Sequence, residues 1–176
     1  MDKLRIVLIE DTEIHRQAAI KQLAGHDLIV CDNFAQFQDK AKELVGKIDV
    51  VLTDCLMPPE ARAYVPQENH SQELVPFGPL ALLWAIQNNI PKAGLLMLNN
   101  HHDHPIAAGL DILGAGRREV RKYGNTDVLI STNNFYGDAE DGEYYSSNVT
   151  GQKGNYVKLW DLFLERLMNP NTNRFD

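Results

Sequence analysis

Three acidic residues stand directly after two short apolar segments, where together they could bind a divalent cation. Glu10 and Asp11 follow the apolar run at 6–9, and Asp54 follows the run at 50–53. Carboxylates that share one site repel each other unless a cation offsets their charge, and a site made only of oxygen ligands suits Mg²⁺ or Mn²⁺. The alternative is that these acids only cap the following helices or face water.

The elements that must bring these acids together alternate between strands and helices. Apolar runs predict strands at 4–9, 27–31, 48–53, 94–98 and 128–131. Apolar spacing and breaker residues predict helices at about 12–23, 34–44, 79–87, 105–113 and 156–167. We therefore predict an α/β fold, a doubly wound five-stranded parallel sheet in the flavodoxin-like order 2-1-3-4-5. In that order the first and third strands are neighbours, and ligands bind outside their carboxyl ends.

Two helices carry local signals that the fold can test. Asn33 with Gln36 three residues later resembles a capping box at the start of the second helix. His15 is interpreted as an ordinary half-exposed residue of the first helix. The apolar residues of that helix that recur at roughly helical spacing are Ile14, Ala19, Ile20 and Leu23.

Two long aperiodic segments, Pro59 to Phe77 and Asn133 to Gly154, follow the third and fifth predicted strands. Loops that leave the carboxyl ends of strands emerge on the face that carries Asp54. Since both segments contain aromatic residues, we predict a partial lid over the acids, with mobile insertions remote from the site as the alternative. The whole is predicted to be a single domain over 1–170 with a flexible tail at 171–176.

The composition argues against several classes of protein. The chain has 17 Lys and Arg against 24 Asp and Glu, for a net charge of −7, which disfavours direct nucleic-acid binding. The one basic cluster, at 117–122, is interpreted as a solvated face. No apolar segment approaches the roughly 18 residues of a membrane span, so we predict no membrane insertion and a cytoplasmic location. Cys31 and Cys55 are too few for a disulfide framework and are predicted to be buried thiols.

The two acid-bearing segments resemble the receiver domains of bacterial two-component response regulators. IVLIED at 6–11 looks like the first strand and acid pair of that family, and VVLTDCLMP at 50–58 looks like its third strand and D-x-x-M-P motif. The resemblance implies that Asp54 accepts a phosphoryl group and that Glu10 and Asp11 hold Mg²⁺ or Mn²⁺. It also implies that Leu56 offers its backbone carbonyl to the ion. A histidine kinase or phosphotransfer protein would be the donor, and a downstream protein the output partner.

The chain departs from the receiver pattern after residue 60. Asn99 stands where the family usually has a Ser or Thr that contacts the phosphoryl group, and 128–132 lacks the family's Lys-Pro pair and the aromatic before it. Lys153, or less favourably Lys92 or Arg62, could supply the missing positive charge from elsewhere.

Three functions follow from this mixture of matches and departures. The first is a stand-alone phosphoryl-accepting switch, with at most self-directed phosphotransfer or dephosphorylation. The second is a phosphorylation-independent interaction module, which the missing family residues favour. The third is a Mg²⁺-dependent phosphohydrolase that uses the same carboxylates.

His101, His102 and His104 beside Asp103 could suggest a transition-metal site, but an exposed polar loop is the favoured interpretation because no second ligand cluster is evident. A glycine-rich phosphate motif is also missing from the sequence, so nucleotide binding is not predicted.

Overall fold

The computed structural model describes residues 2–57, 76–97, 119–132, 135–138 and 156–171. Within these ranges the chain forms eight strands and four helices. The strands are β1 Arg5–Ile9, β2 Asp27–Cys31, β3 Val50–Thr53, β4 Lys92–Met97, β5 Arg121–Tyr123, β6 Thr126–Thr132, β7 Tyr136–Asp138 and β8 Tyr156–Lys158. The helices are α1 Glu13–Gln22, α2 Phe34–Leu44, α3 Phe77–Gln87 and α4 Trp160–Met168.

The main sheet has six strands in the order β2-β1-β3-β4-β6-β5. The first five of these are parallel, which confirms the α/β class, and β5 pairs antiparallel with β6. The predicted count of five strands in the order 2-1-3-4-5 is therefore wrong. The additional strand β5 carries Arg121 and Lys122, and three residues of this composition are too short and too charged to show a strand pattern. Gly124 allows the tight turn into β6 because its φ is +59°.

Apolar residues on both faces of the sheet are covered by helices. Val7, Ile9 and Val51 pack in one core with residues of α2 and α3. Ile6, Leu8, Val50 and Leu52 lie in a second core with residues of α1 and α4. Since successive strand residues point to opposite faces, a strand with helices on both sides is apolar throughout. This explains the continuous apolar runs that end at the acids.

The start of α2 confirms the predicted cap. The Asn33 side chain accepts a hydrogen bond from the Gln36 backbone N–H at 2.9 Å, and Gln36 Oε1 accepts one from the Asp32 N–H at 3.3 Å.

The buried face of α1 matches the predicted apolar set only in part. Ala19 and Leu23 are buried, whereas Ile14 and Ile20 are 39% and 45% exposed. The interpretation of His15 as half-exposed is wrong, since only 4% of it is accessible. A polar residue takes the buried position because α1 packs on β8, whose edge presents backbone groups that need hydrogen-bond partners.

A small second sheet occupies part of the chain where sequence patterns predict a loop and a helix. Strands β7 and β8 pair antiparallel, with Tyr136 opposite Lys158. The irregular segment predicted from 133 is thus wrong at 136–138, and the last helix begins at Trp160 rather than at 156. Three-residue strands give too few positions for alternation to be recognised. The predicted helix at 105–113 and most of both predicted loops lie outside the described residues.

Candidate functional site

The sheet register brings the strand-end acids side by side. β1 and β3 pair in parallel from Ile6 opposite Val50 to Ile9 opposite Thr53. The ladder continues past the strand ends, because the Asp54 N–H donates to the Ile9 carbonyl at 2.9 Å and the Glu10 N–H donates to the Cys31 carbonyl at 3.0 Å. Both acidic residues therefore leave the sheet at the same edge.

Glu10, Asp11 and Asp54 form the cluster predicted from the sequence. One oxygen of each carboxylate lies within 4.8 Å of those of the other two. Glu10 is completely buried, while Asp11 and Asp54 are partly exposed. The convergence of the three acids is confirmed, and a buried acidic cluster of this kind could hold a metal ion.

A lysine that sequence reasoning missed completes the cluster. The Lys158 ammonium lies 2.6 Å from Glu10 Oε2 and 2.9 Å from Asp54 Oδ1, and the Lys158 side chain is fully buried. Its signal in the sequence is weak but present: a single cation inside the apolar stretch Tyr-Val-Lys-Leu-Trp at 156–160. Charged residues are almost never fully buried unless they are paired. A positive charge at Asp54 is therefore present, but it comes from β8.

The cations proposed from the sequence are not those seen at Asp54 in the described ranges. Lys92 lies at the amino end of β4, where its ammonium pairs with Asp127 at 2.9 Å. Lys153 and Arg62 lie outside the described residues, as does Asn99.

Burial and charge set the protonation of the Glu10–Lys158 pair. Burial raises the pKa of Glu10 to about 7, and the Asp54 carboxylate adds to this rise, although Lys158 and the Thr12 N–H counteract it. Burial alone would lower the pKa of Lys158, but the Asp54 and Glu10 carboxylates raise it above its ordinary value. Lys158 is therefore charged at neutral pH, and the charge on Glu10 depends on it.

Two contacts of the Asp54 side chain with described residues fall on the same carboxylate oxygen. Oδ1 accepts a hydrogen bond from the Cys55 backbone N–H at 2.7 Å and pairs with Lys158 at 2.9 Å. The Thr53 hydroxyl donates to the Asp54 backbone carbonyl at 2.7 Å, which fixes the turn. In the described part of the chain, Oδ2 has neither of these partners.

The first turn of α3 packs on the main chain that presents Asp54. The Gly78 N–H donates to the Cys55 carbonyl at 3.0 Å. A Cβ at position 78 would lie 2.1 Å from the Asp54 carbonyl oxygen, so only glycine permits this approach. Leu56 is partly buried against the core that α2 and α3 form with the sheet. Its role as a carbonyl ligand stays a prediction.

The residues present fit a divalent cation. Three carboxylates and one ammonium leave a formal charge of −2 when all are ionised. Glu10 already accepts hydrogen bonds from Lys158 and from the Thr12 N–H, so Asp11 and Asp54 have the more accessible oxygens. Hard oxygen ligands of this kind suit Mg²⁺ or Mn²⁺.

The two cysteines are buried free thiols, as predicted. Burial raises the pKa of Cys31 to about 11 and that of Cys55 to about 12, in the second case with help from the Asp54 charge. Cys55 is thus protonated beside Asp54 and is a poor nucleophile.

The histidines at 101, 102 and 104 lie outside the described residues.

Within the described ranges, no helix combines the length and the apolar character that crossing a membrane requires. Comparison with known protein families, with curated proteins and with solved structures finds no match.

Proposed function

We propose that this chain is a stand-alone receiver-like signalling protein in which Asp54 accepts a phosphoryl group in the presence of Mg²⁺ or Mn²⁺. The observation that carries the proposal is the buried Lys158 ammonium at 2.9 Å from Asp54, in a site where two further carboxylates converge. This combines the nucleophile, the ligands for a cation and a fixed positive charge. Phosphoryl transfer needs little beyond such positioning and charge neutralisation.

In the proposed reaction an Asp54 carboxylate oxygen attacks the phosphorus of a phosphohistidine. A phosphorus–oxygen bond forms, the phosphorus–nitrogen bond breaks, and the imidazole leaves with the electron pair and takes up a proton. A histidine kinase or phosphotransfer protein supplies the phosphohistidine, and a downstream protein reads the modified state. Bound at Glu10, Asp11 and Asp54, the metal ion would neutralise charge on the phosphoryl oxygens.

Lys158 adds a second positive charge on the nucleophile side of the site. Its ammonium is held by Glu10 as well as by Asp54, so it stays in place while the Asp54 oxygen becomes part of an acyl phosphate. A fixed, desolvated charge needs no reorganisation when negative charge develops, which is the general basis of electrostatic catalysis.

One observation favours the alternative, a phosphorylation-independent interaction module. The Lys158 ammonium pairs with both Glu10 and Asp54, and the Asp54 side chain is only 14% exposed. A site whose Asp54 is already paired in this way can serve as a structural element of a binding domain.

Intact-mass analysis after incubation with acetyl phosphate and Mg²⁺ tests the proposal. We expect the mass of one phosphoryl group to be added to the wild type and to Asp39→Asn, an exposed control on α2, but not to Asp54→Asn. An unmodified wild type, or a modified Asp54→Asn, contradicts it. Phosphate released over many turnovers per molecule would instead indicate a phosphohydrolase.

A further inference from the structure

Both backbone polar groups of Lys158 are bound by side chains of α1. The Lys158 N–H donates to His15 Nδ1 at 3.4 Å, and the Lys158 carbonyl accepts from Gln22 Nε2 at 3.1 Å. His15 and Gln22 are seven residues apart, close to two helical turns, so they lie on the same face of α1. This face of α1 reaches the strand that carries the lysine of the acidic site.

The pairing of β8 explains why these two groups need partners. In an antiparallel ladder, the N–H and C=O of one residue point to the same side of the strand, either toward the neighbouring strand or away from it. Those of Lys158 point to α1, away from β7. His15 and Gln22 therefore cover the edge of β8 that has no strand beside it in the described structure.

Gln22 connects this edge to the start of α4. Its Oε1 accepts a hydrogen bond from the Trp160 N–H at 2.7 Å, while its Nε2 donates to the Lys158 carbonyl. One side chain thus fixes the main chain on both sides of Leu159. The Trp160 ring in turn lies 5.4 Å from the Lys158 ammonium, within reach of a cation–π interaction.

We propose that His15 and Gln22 are positioning residues that hold the main chain of Lys158 so that its ammonium lies between Glu10 and Asp54. The consequence for phosphoryl transfer rests on the proposed function, but the positioning itself does not. Throughout, His15 and Gln22 act through Lys158 and not on the phosphoryl group.

Two features make the position of β8 depend on these contacts. Strands β7 and β8 have three residues each, and an isolated two-stranded sheet is marginally stable in water. Lysine is a flexible point charge on four methylenes, so its ammonium is placed only if its main chain is placed. Burial and the nearby Lys158 charge lower the pKa of His15 to about 4, so at neutral pH its ring stays uncharged and Nδ1 can accept the hydrogen bond.

Substitutions that remove one hydrogen bond at a time test the positioning role. His15→Leu removes the acceptor, whereas His15→Asn keeps an acceptor oxygen attached to Cγ, as Nδ1 is. Gln22→Glu keeps the acceptor for the Trp160 N–H but cannot donate to the Lys158 carbonyl when ionised, and Gln22→Leu loses both bonds. Gln17→Leu is the matched control, because Gln17 is exposed on the same helix and bonds Glu13.

The direct measurement is the ¹⁵N resonance of the Lys158 ammonium, assigned by its loss in Lys158→Met. A buried, paired ammonium exchanges slowly and gives an observable signal. We expect this signal in the wild type, His15→Asn and Gln17→Leu, and expect it to be shifted or lost in His15→Leu, Gln22→Glu and Gln22→Leu. An unchanged signal in folded His15→Leu and Gln22→Glu overturns the proposal.

The second measurement is the rate of phosphoryl incorporation from acetyl phosphate. In His15→Leu and Gln22→Glu the maximal rate should fall about ten- to a hundredfold, as expected for a small misplacement of a catalytic group, with little change in the donor concentration at half-maximal rate. His15→Asn should recover most of the rate. If the wild type is phosphorylated and folded His15→Leu and Gln22→Glu incorporate the phosphoryl group at the wild-type rate, the positioning role is overturned. If the wild type takes up no phosphoryl group while the ammonium resonance responds as expected, the proposed function fails and the positioning role stands.

Discussion

Lys158 carries its charge at a point that water does not reach, between two carboxylates that follow different strands. Taking an ammonium and a carboxylate out of water is expensive, and their attraction compensates only if the geometry is close and the hydrogen bonds are satisfied. The contacts at 2.6 and 2.9 Å meet that condition. Glu10 depends on the lysine in the same way, since burial raises its pKa to about 7 even with the ammonium in place.

We predict that Lys158→Met destabilises the protein by about 3–5 kcal/mol, the usual cost of leaving one member of a buried pair uncompensated. Adding Glu10→Gln to Lys158→Met should restore part of this loss, because the remaining buried carboxylate becomes neutral. Urea denaturation of the wild type, both single variants and the double variant gives the coupling free energy. Strict additivity would show that the two side chains do not interact.

A prediction about pH concerns His15. Its folded-state pKa is about 4 against an ordinary 6.5, so between these values the unfolded chain binds a proton that the folded chain does not. The free energy of unfolding should therefore fall as the pH drops from about 6.5 to 4, by at most about 3 kcal/mol for this residue. Above pH 6.5 the histidine is uncharged in both states and does not change the free energy of unfolding with pH.

His15→Asn, which does not titrate, isolates this effect. Glu10 acts in the opposite direction, because its raised pKa makes stability fall as the pH rises from about 4.5 to about 7. Both proteins keep Glu10, so the difference between their stability curves reports His15 alone. Parallel curves between pH 4 and 6.5 would contradict the assignment.

At the scale of elements, two short strands and one helix turn position residues of the site. The three-residue strands β7 and β8 place Lys158, and the first turn of α3 packs on the main chain of Asp54 and Cys55. The described part of the second long loop, 135–138, thus belongs to the sheet that carries a residue of the acidic site. The lid itself stays a prediction, because most of both loops lies outside the described residues.

We predict that Gly78→Ala destabilises the protein by about 1–3 kcal/mol, as overpacking commonly does. Alanine would normally favour a helix, but here its Cβ would lie 2.1 Å from the Asp54 carbonyl oxygen and 2.8 Å from Cys55 Cα, and main-chain atoms cannot move aside easily. Gly25→Ala is the control, since nothing lies within 4 Å of its Cβ. Equal thermal stability of the two variants would show that α3 does not press on this turn.

At the scale of the whole molecule, the acidic cluster exists only when the sheet is formed. Asp11 and Asp54 are 43 residues apart in the sequence, and the pairing of β1 with β3 brings them together. A cation that binds this cluster therefore binds the folded state and not the unfolded chain. Binding of a cation at this cluster would therefore be linked to folding through the sheet.

We predict that millimolar Mg²⁺ or Mn²⁺ raises the melting temperature. A free metal concentration of about a hundred times the dissociation constant adds about 2.7 kcal/mol to the free energy of unfolding. Asp11→Ala should lose most of this gain, whereas Asp39→Asn, exposed on α2, should keep it. A melting temperature that does not change with the metal, or one that rises equally in Asp11→Ala, would rule the site out.

The sequence by itself determined the parallel strands that carry the acids, the capped start of α2 and the three carboxylates of the cluster. These features depend on local patterns, namely continuous apolar runs, an Asn with a Gln three residues on, and acids directly after strands. The antiparallel edge strand β5, the small β7–β8 sheet, the buried His15 and the role of Lys158 depended on the tertiary structure. Three-residue strands show no periodicity, and the residue type alone does not distinguish a buried lysine from an exposed one. Its environment is set by Glu10, 148 residues away in the sequence, and only the folded chain makes that contact.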